Sequence, residues 1–150
     1  GASELPITDM RMTRFNISLE AGVDLVMFAI GHHLGGEIFI PKIPSYKIGD
    51  VATAIAPNIK QIEIGIRPGE KLHEEMITAT DALNTIDLGE YYAILPSVSF
   101  KHQKDEYIKH HNAVMVPEGF HYSSDSNDQW ERVESIREKI VEFVDPNFTV

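Results

Sequence analysis

A chain of 150 residues is long enough for one domain with a real core and too short for two of ordinary size. Its 43% apolar and 24% charged content excludes disorder over most of the length, and its formal charge of -10 disfavours nucleic acid and anionic membrane as partners. Cysteine is absent, which excludes disulfides and thiolate metal sites and fits a cytoplasmic location. No apolar run reaches about 18 residues, so no membrane insertion is predicted, and no secretory signal pattern opens the chain. An anionic small ligand suits this charge only if a few arginines gather at one place.

In chain order, Glu4 to Asn16 is polar and reads as a loop packed on something else. Leu19, Val23, Val26, Met27 and Ile30 then recur at helical spacing and predict one inward apolar face, with Ser18 as cap and Gly35-Gly36 ending the region. Glu37 to Pro41 is a short apolar run suited to a strand buried on both faces. A second helix is predicted over Ile48 to Ile55, with Ile48, Val51, Ala52 and Ile55 inward. Ile62, Ile64 and Ile66 alternate with Glu63 and Gly65 as a strand. After Arg67-Pro68-Gly69-Glu70 the pattern predicts a short helix through Leu72 and Met76. Thr85 to Leu88 and Tyr91 to Leu95 read as a hairpin turning at Gly89-Glu90.

From Pro96 to Trp130 periodicity fails, and the stretch reads as an arm lying along another domain or subunit. A helix closes the chain at about 133–143, with Val133, Ile136 and Ile140 on one face. The alternation of elements predicts a small mixed α/β unit over 1–150.

Few residues carry chemistry. Arg67 ends a strand at a Pro-Gly turn, where a planar guanidinium can make paired hydrogen bonds to a phosphate. Gly69 permits close approach of a ligand to the main chain, and the Glu70 carboxylate can accept from sugar hydroxyls. The same residues also suit a surface turn with an exposed ion pair. Arg11 and Arg14, three apart, can meet a phosphate or face solvent. The histidines are scattered, and His73-Glu74-Glu75-Met76-Ile77 lacks the second histidine of a zinc-protease helix, so no metal site is predicted. There is no Gly-x-Gly-x-x-Gly, no tyrosine followed four residues later by lysine, no Gly-x-Ser-x-Gly and no phosphate loop. No catalytic residue is therefore assigned.

Three blocks together are more specific. Pro6-Ile7-Thr8-Asp9-Met10-Arg11-Met12-Thr13-Arg14-Phe15, Gly35-Gly36-Glu37-Ile38-Phe39-Ile40-Pro41-Lys42-Ile43-Pro44-Ser45 and Ile66-Arg67-Pro68-Gly69-Glu70-Lys71-Leu72-His73-Glu74-Glu75-Met76-Ile77 resemble the substrate portion of inverting UDP-N-acetylglucosamine 4,6-dehydratases. Tyr122-Ser123-Ser124-Asp125 and the last helix are similar to that family's C-terminal end. The resemblance runs from about Glu4 to Val144. It implies the C-terminal substrate-binding domain of an extended short-chain dehydrogenase/reductase, with the Rossmann domain absent. It also implies a place in flagellin and surface-polysaccharide synthesis through pseudaminic acid.

In the full-length family NADP oxidises C4 of the sugar, water is lost across C5 and C6, and hydride returns at C6. The cofactor and catalytic residues lie ahead of the position of Gly1, so this chain is expected to hold no cofactor. The resemblance assigns Arg14 and Arg67 to the diphosphate and Glu70 to the uridine ribose of a UDP-sugar, with Arg11 nearby. Asn16 and Tyr46 depart from the pattern, and Arg132 stands at a helix N-cap that favours serine or threonine. The expected partners are the UDP-sugar and either a missing N-terminal Rossmann half or a second copy, because an uncovered apolar surface favours association. The competing reading is a non-catalytic module for UDP-sugar binding or oligomerisation.

Overall fold

The computed structural model describes residues 3–98 and 102–150. In chain order the elements among them are β1 (Glu4–Ile7), β2 (Thr13–Phe15), α1 (Leu19–His32), β3 (Ile38–Pro41), β4 (Ser45–Lys47), α2 (Ile48–Ile55), β5 (Lys60–Glu63), β6 (Glu75–Ile77), α3 (Ala79–Ala82), β7 (Thr85–Asp87), β8 (Tyr91–Ile94), α4 (Lys104–His111), β9 (Val114–Met115), β10 (Tyr122–Ser123) and α5 (Val133–Phe143). The fold is mixed α/β with small sheets, as the alternation of patterns predicts. It forms two compact units. One comprises residues 1–16, 43–74 and 123–150; the other comprises 17–42 and 75–122.

The first unit is built on two strand pairs. β1 runs parallel to β5, with Ile7 opposite Glu63, and β2 runs antiparallel to β4, with Arg14 opposite Tyr46. The segment expected as a loop over Glu4 to Asn16 therefore supplies two strands. Isolated polar positions hid them, because each strand is only three or four residues long and pairs with residues some 30 to 60 positions away.

Helices α2 and α5 pack together here. Arg137 on α5 donates from Nε to the carbonyl of Ala54 and from a terminal nitrogen to that of Thr53, at 3.1 and 3.3 Å. A cation thus satisfies carbonyls at the C-terminal end of α2. Gly49, Ala52 and Ala54 are the buried positions of α2 and Ile55 is exposed, so the inward face is smaller and rotated from the one expected. Strand β5 ends at Glu63, and Ile64 and Ile66 are exposed beyond it.

The second unit holds a four-stranded antiparallel sheet in the order β3-β8-β7-β9. The predicted hairpin is present: the N–H of Leu88 bonds the carbonyl of Tyr91, and Gly89 turns with φ 89°. Ile86, Ala93, Leu95 and Tyr107 form the core, with Leu34, Phe39 and Ile108 against it. β3 is an edge strand with Ile38 61% exposed, not a strand buried on both faces. The helix expected through Leu72 and Met76 is absent; Glu75–Ile77 is strand β6 and the helix, α3, begins only at Ala79, capped by Thr78.

Helix α1 begins where Ser18 was expected to cap it, with the Ser18 hydroxyl accepting from the N–H of Ala21. Its orientation reverses the expectation. Phe28 packs on Phe39 and stacks on Tyr91, while Leu19, Val23, Val26, Met27 and Ile30 are 52–81% exposed. Apolar residues occur on both sides of this helix, so the period alone could not choose the inner one.

The stretch 96–130, expected as a structureless arm, carries α4, β9 and β10; residues 99–101 lie outside the described residues. Helix α4 is mostly charged and touches the core through Tyr107 and Ile108, a pair too short to register as a period. Among the described residues no helix is long and apolar enough to cross a membrane.

Candidate functional site

All four candidate residues lie in the first unit. The turn after β5 is closed by the N–H of Glu70 donating to the carbonyl of Arg67 at 3.1 Å. Proline at its second position and Gly69 at its third, with φ 86°, give the pattern of a type II turn. A side chain at Gly69 would be strained even though its surroundings are open. The Glu70 carboxylate accepts the N–H of Arg67 at 2.9 Å and stands 4.0 Å from its Nε. The Arg67 side chain is 72% exposed, so its guanidinium is presented to solvent from a fixed turn.

Arg14 is in a different state. From the middle of β2 it donates to the carbonyls of Thr13 at 2.7 Å, Leu72 at 3.2 Å and Lys71 at 2.9 Å. Its Nε lies 3.5 Å from Glu74, and its remaining terminal hydrogen bond goes to the sulfur of Met12 at 3.7 Å. Its donors are thus spent on the protein. Arg14 clasps the backbone just past Glu70, which links it to Arg67 through the loop rather than through a shared open face.

Arg11 is tied elsewhere. Its Nε and a terminal nitrogen meet the two oxygens of Asp9 at 3.0 and 2.7 Å, and its backbone N–H adds a third bond at 2.8 Å. These bonds from Arg11 hold the Asp9 carboxyl at about 2, below its ordinary 3.8. The structure therefore brings Arg14, Arg67 and Glu70 to one loop and commits Arg11 to Asp9.

Sequence reasoning missed the layer beneath this loop. Thr13 Oγ1 lies 2.8 Å from His73 Nδ1 and 2.7 Å from Ser124 Oγ. The N–H of Glu74 donates to Ser124 Oγ at 2.9 Å, and the N–H of Ser124 donates to the carbonyl of Glu74 at 2.8 Å. His73 Nε2 faces Asp125 at 3.9 Å. Thr13 and Ser124 are buried. The one available signal was that Thr13, His73 and Ser124 each sit inside a block that carries the resemblance.

A family model described as "Polysaccharide biosynthesis protein" matches residues 1–96, a range that contains all four candidates. The chain belongs to the polysaccharide biosynthesis protein family. Among its relatives, the UDP-N-acetylglucosamine 4,6-dehydratase (inverting) of Campylobacter jejuni serotype O:2 is 52% identical over 133 residues, covering 87% of this chain and 40% of the relative. The UDP-glucose 4-epimerase of Rickettsia canadensis is 40% identical over 95 residues, covering 61% of this chain and 28% of that enzyme. Among solved structures, the X-ray structure of Pen from Bacillus thuringiensis superposes with a TM-score of 0.73 at 28% identity, over 93% of this chain and 41% of that one. This member of the polysaccharide biosynthesis family thus spans 40% of the length of the dehydratase it matches.

Proposed function

We propose that this chain is the part of an inverting UDP-N-acetylglucosamine 4,6-dehydratase that grips the UDP-sugar. The observation that carries the reading is the identity of 52% over 87% of the chain to that dehydratase, against 40% over 61% for the epimerase. The site geometry supports it. Arg67 is an exposed cation on a proline-stiffened turn, suited to two parallel hydrogen bonds with a phosphate in spite of the net charge of -10. Glu70 sits beside it, so a diphosphate on Arg67 brings an attached ribose within reach of its carboxylate. Arg14 contributes by holding the loop, and its carbonyl contacts would have to open before it touched a ligand itself. Arg11, paired with Asp9 through two of its guanidinium nitrogens, fixes the preceding segment.

Under this reading the isolated chain binds and does not catalyse. No glycine of positive φ opens a helix among the described residues. The same reading places NADP on residues of the full-length enzyme other than these. The outward apolar face of α1 is where that Rossmann half, or a second copy, would pack. Synthesis of the sugar in the cytoplasm follows from the same reading.

The test is calorimetry with UDP on the wild type and on Arg67→Ala. A charge-assisted pair contributes about 1.5–3 kcal/mol, so the variant should bind at least about tenfold more weakly. Equal affinities would remove Arg67 from the diphosphate.

A further inference from the structure

The polar layer under the Arg67 loop has a direction that its donors and acceptors determine. The hydroxyl of Ser124 accepts the N–H of Glu74 at 2.9 Å, leaving its own proton to donate. Its remaining partner is Thr13 Oγ1 at 2.7 Å. Thr13, accepting from Ser124, donates its hydroxyl hydrogen bond to His73 Nδ1 at 2.8 Å. The opposite order would make Ser124 accept twice and leave its buried hydroxyl proton without an acceptor among the described residues, a costly arrangement at a fully buried position. The neutral His73 ring consequently carries its proton on Nε2, the nitrogen that faces Asp125.

Arg14 and this hydroxyl chain together tie down four consecutive residues. The carbonyl of Lys71 is held by Arg14. The carbonyl of Leu72 is held by Arg14 and by the N–H of Thr13. The His73 ring is held by Thr13, and both backbone groups of Glu74 are held by Ser124. The pinned stretch begins immediately after Glu70.

We propose that Thr13 and Ser124 are positioning residues of the nucleotide-sugar site: their hydroxyl chain, ending on His73, fixes the loop that presents Arg67 and Glu70. The proposal rests on the UDP-sugar reading above. The two hydroxyls touch no ligand. They act by ordering the loop before binding, so that association does not have to order it. Were they only filling space, an apolar side chain of equal volume would serve as well, and an isostere separates the two roles.

The experiment combines nitrogen-15 NMR of the His73 ring without ligand and calorimetric titration with UDP, on the wild type, Thr13→Val and Thr13→Ser. In the wild type Nδ1 should resonate as an unprotonated acceptor and Nε2 should carry the proton. Thr13→Val keeps the volume and removes the hydroxyl; its ring nitrogens should move toward a mixture of tautomers and its affinity for UDP should fall about tenfold. Thr13→Ser keeps the hydroxyl and should retain the wild-type ring signature, with affinity within about threefold. If Thr13→Val does not fold, Ser124→Ala removes the acceptor of the Glu74 N–H and the donor to Thr13; UDP affinity should fall about tenfold while Thr13 still donates to His73 and the ring signature persists, and wild-type affinity in this variant overturns the proposal.

A proton on His73 Nδ1 in the wild type overturns the proposal, as does UDP binding by the valine variant at wild-type affinity. If the wild type gives no heat with UDP while the ring shows the expected tautomer and its loss in Thr13→Val, the hydroxyl chain stands and the UDP reading fails.

Discussion

Replacing Glu37 by alanine should destabilise the second unit by about 2.5–5 kcal/mol, out of a stability of the order of 5–15 kcal/mol for a domain. The Glu37 side chain is 0% exposed and that of His111 is 3% exposed. The carboxylate accepts the N–H groups of Leu34 and Gly35, both at 2.7 Å, and meets His111 Nε2 at 3.1 Å. It joins the end of α4 to the turn before β3, where Tyr107 also donates to the carbonyl of Gly35 at 2.6 Å. Gly35 is exposed, so its amide returns to water in the variant. The half-buried amide of Leu34 loses its partner at about 1–2 kcal/mol, and the buried imidazole loses a charged acceptor at about 1.5–3 kcal/mol.

Burial raises the pKa of Glu37, but hydrogen bonds from the backbone and from His111 outweigh it, and the net shift is downward. Its stabilisation is therefore complete above the ordinary value of 4.5 and is lost as pH falls through the lower, folded value. Urea unfolding followed by circular dichroism should show the gap between wild type and Glu37→Ala at pH 7 and a smaller gap at pH 3. A difference below about 1 kcal/mol at pH 7, or one that grows on acidification, would refute the reasoning.

Three further outcomes follow. Asp9, held at about 2 by Arg11, should contribute fully above its ordinary 3.8 and lose that contribution as pH falls toward 2; in Arg11→Met the loss should be smaller and end at a higher pH, read from acid unfolding curves. Val26→Asp places a charge in the outward apolar face of α1 and should lower the average mass seen by light scattering at high concentration, with little change in helix content; unchanged association would move the contact away from this face. Arg132→Ser should raise stability by about 0.5–1 kcal/mol in chemical unfolding, since the Arg132 side chain leaves the N-cap of α5 to the Ser135 hydroxyl.

The elements legible in the sequence were those with one clear period or one clear turn. α2 and α5 had a helical period, and the β7–β8 hairpin had Gly89-Glu90. β1, β2 and β6 were not legible, because a strand of three or four residues is defined by its partner and not by its own pattern. α1 was legible as a helix but not in orientation: apolar residues occupy two of its faces, and Phe28 rather than Val26 meets the sheet.

At the site, Arg67 and Glu70 were legible because Pro68 and Gly69 fix a turn whose geometry follows from residue type alone. The clasp by Arg14 was not, since it depends on carbonyls 57 and 58 positions away. Nor was Ser124, which reaches Thr13 across 111 positions. A hydroxyl in a sequence gives no sign of whether it will be buried beneath a loop.

The central claim is that these residues form a working grip for a UDP group, and titration of the unaltered chain with UDP by calorimetry tests it most directly. Saturable heat with one site per chain is expected at millimolar ligand or below. No heat at millimolar UDP, from protein shown by circular dichroism to be folded, would contradict it.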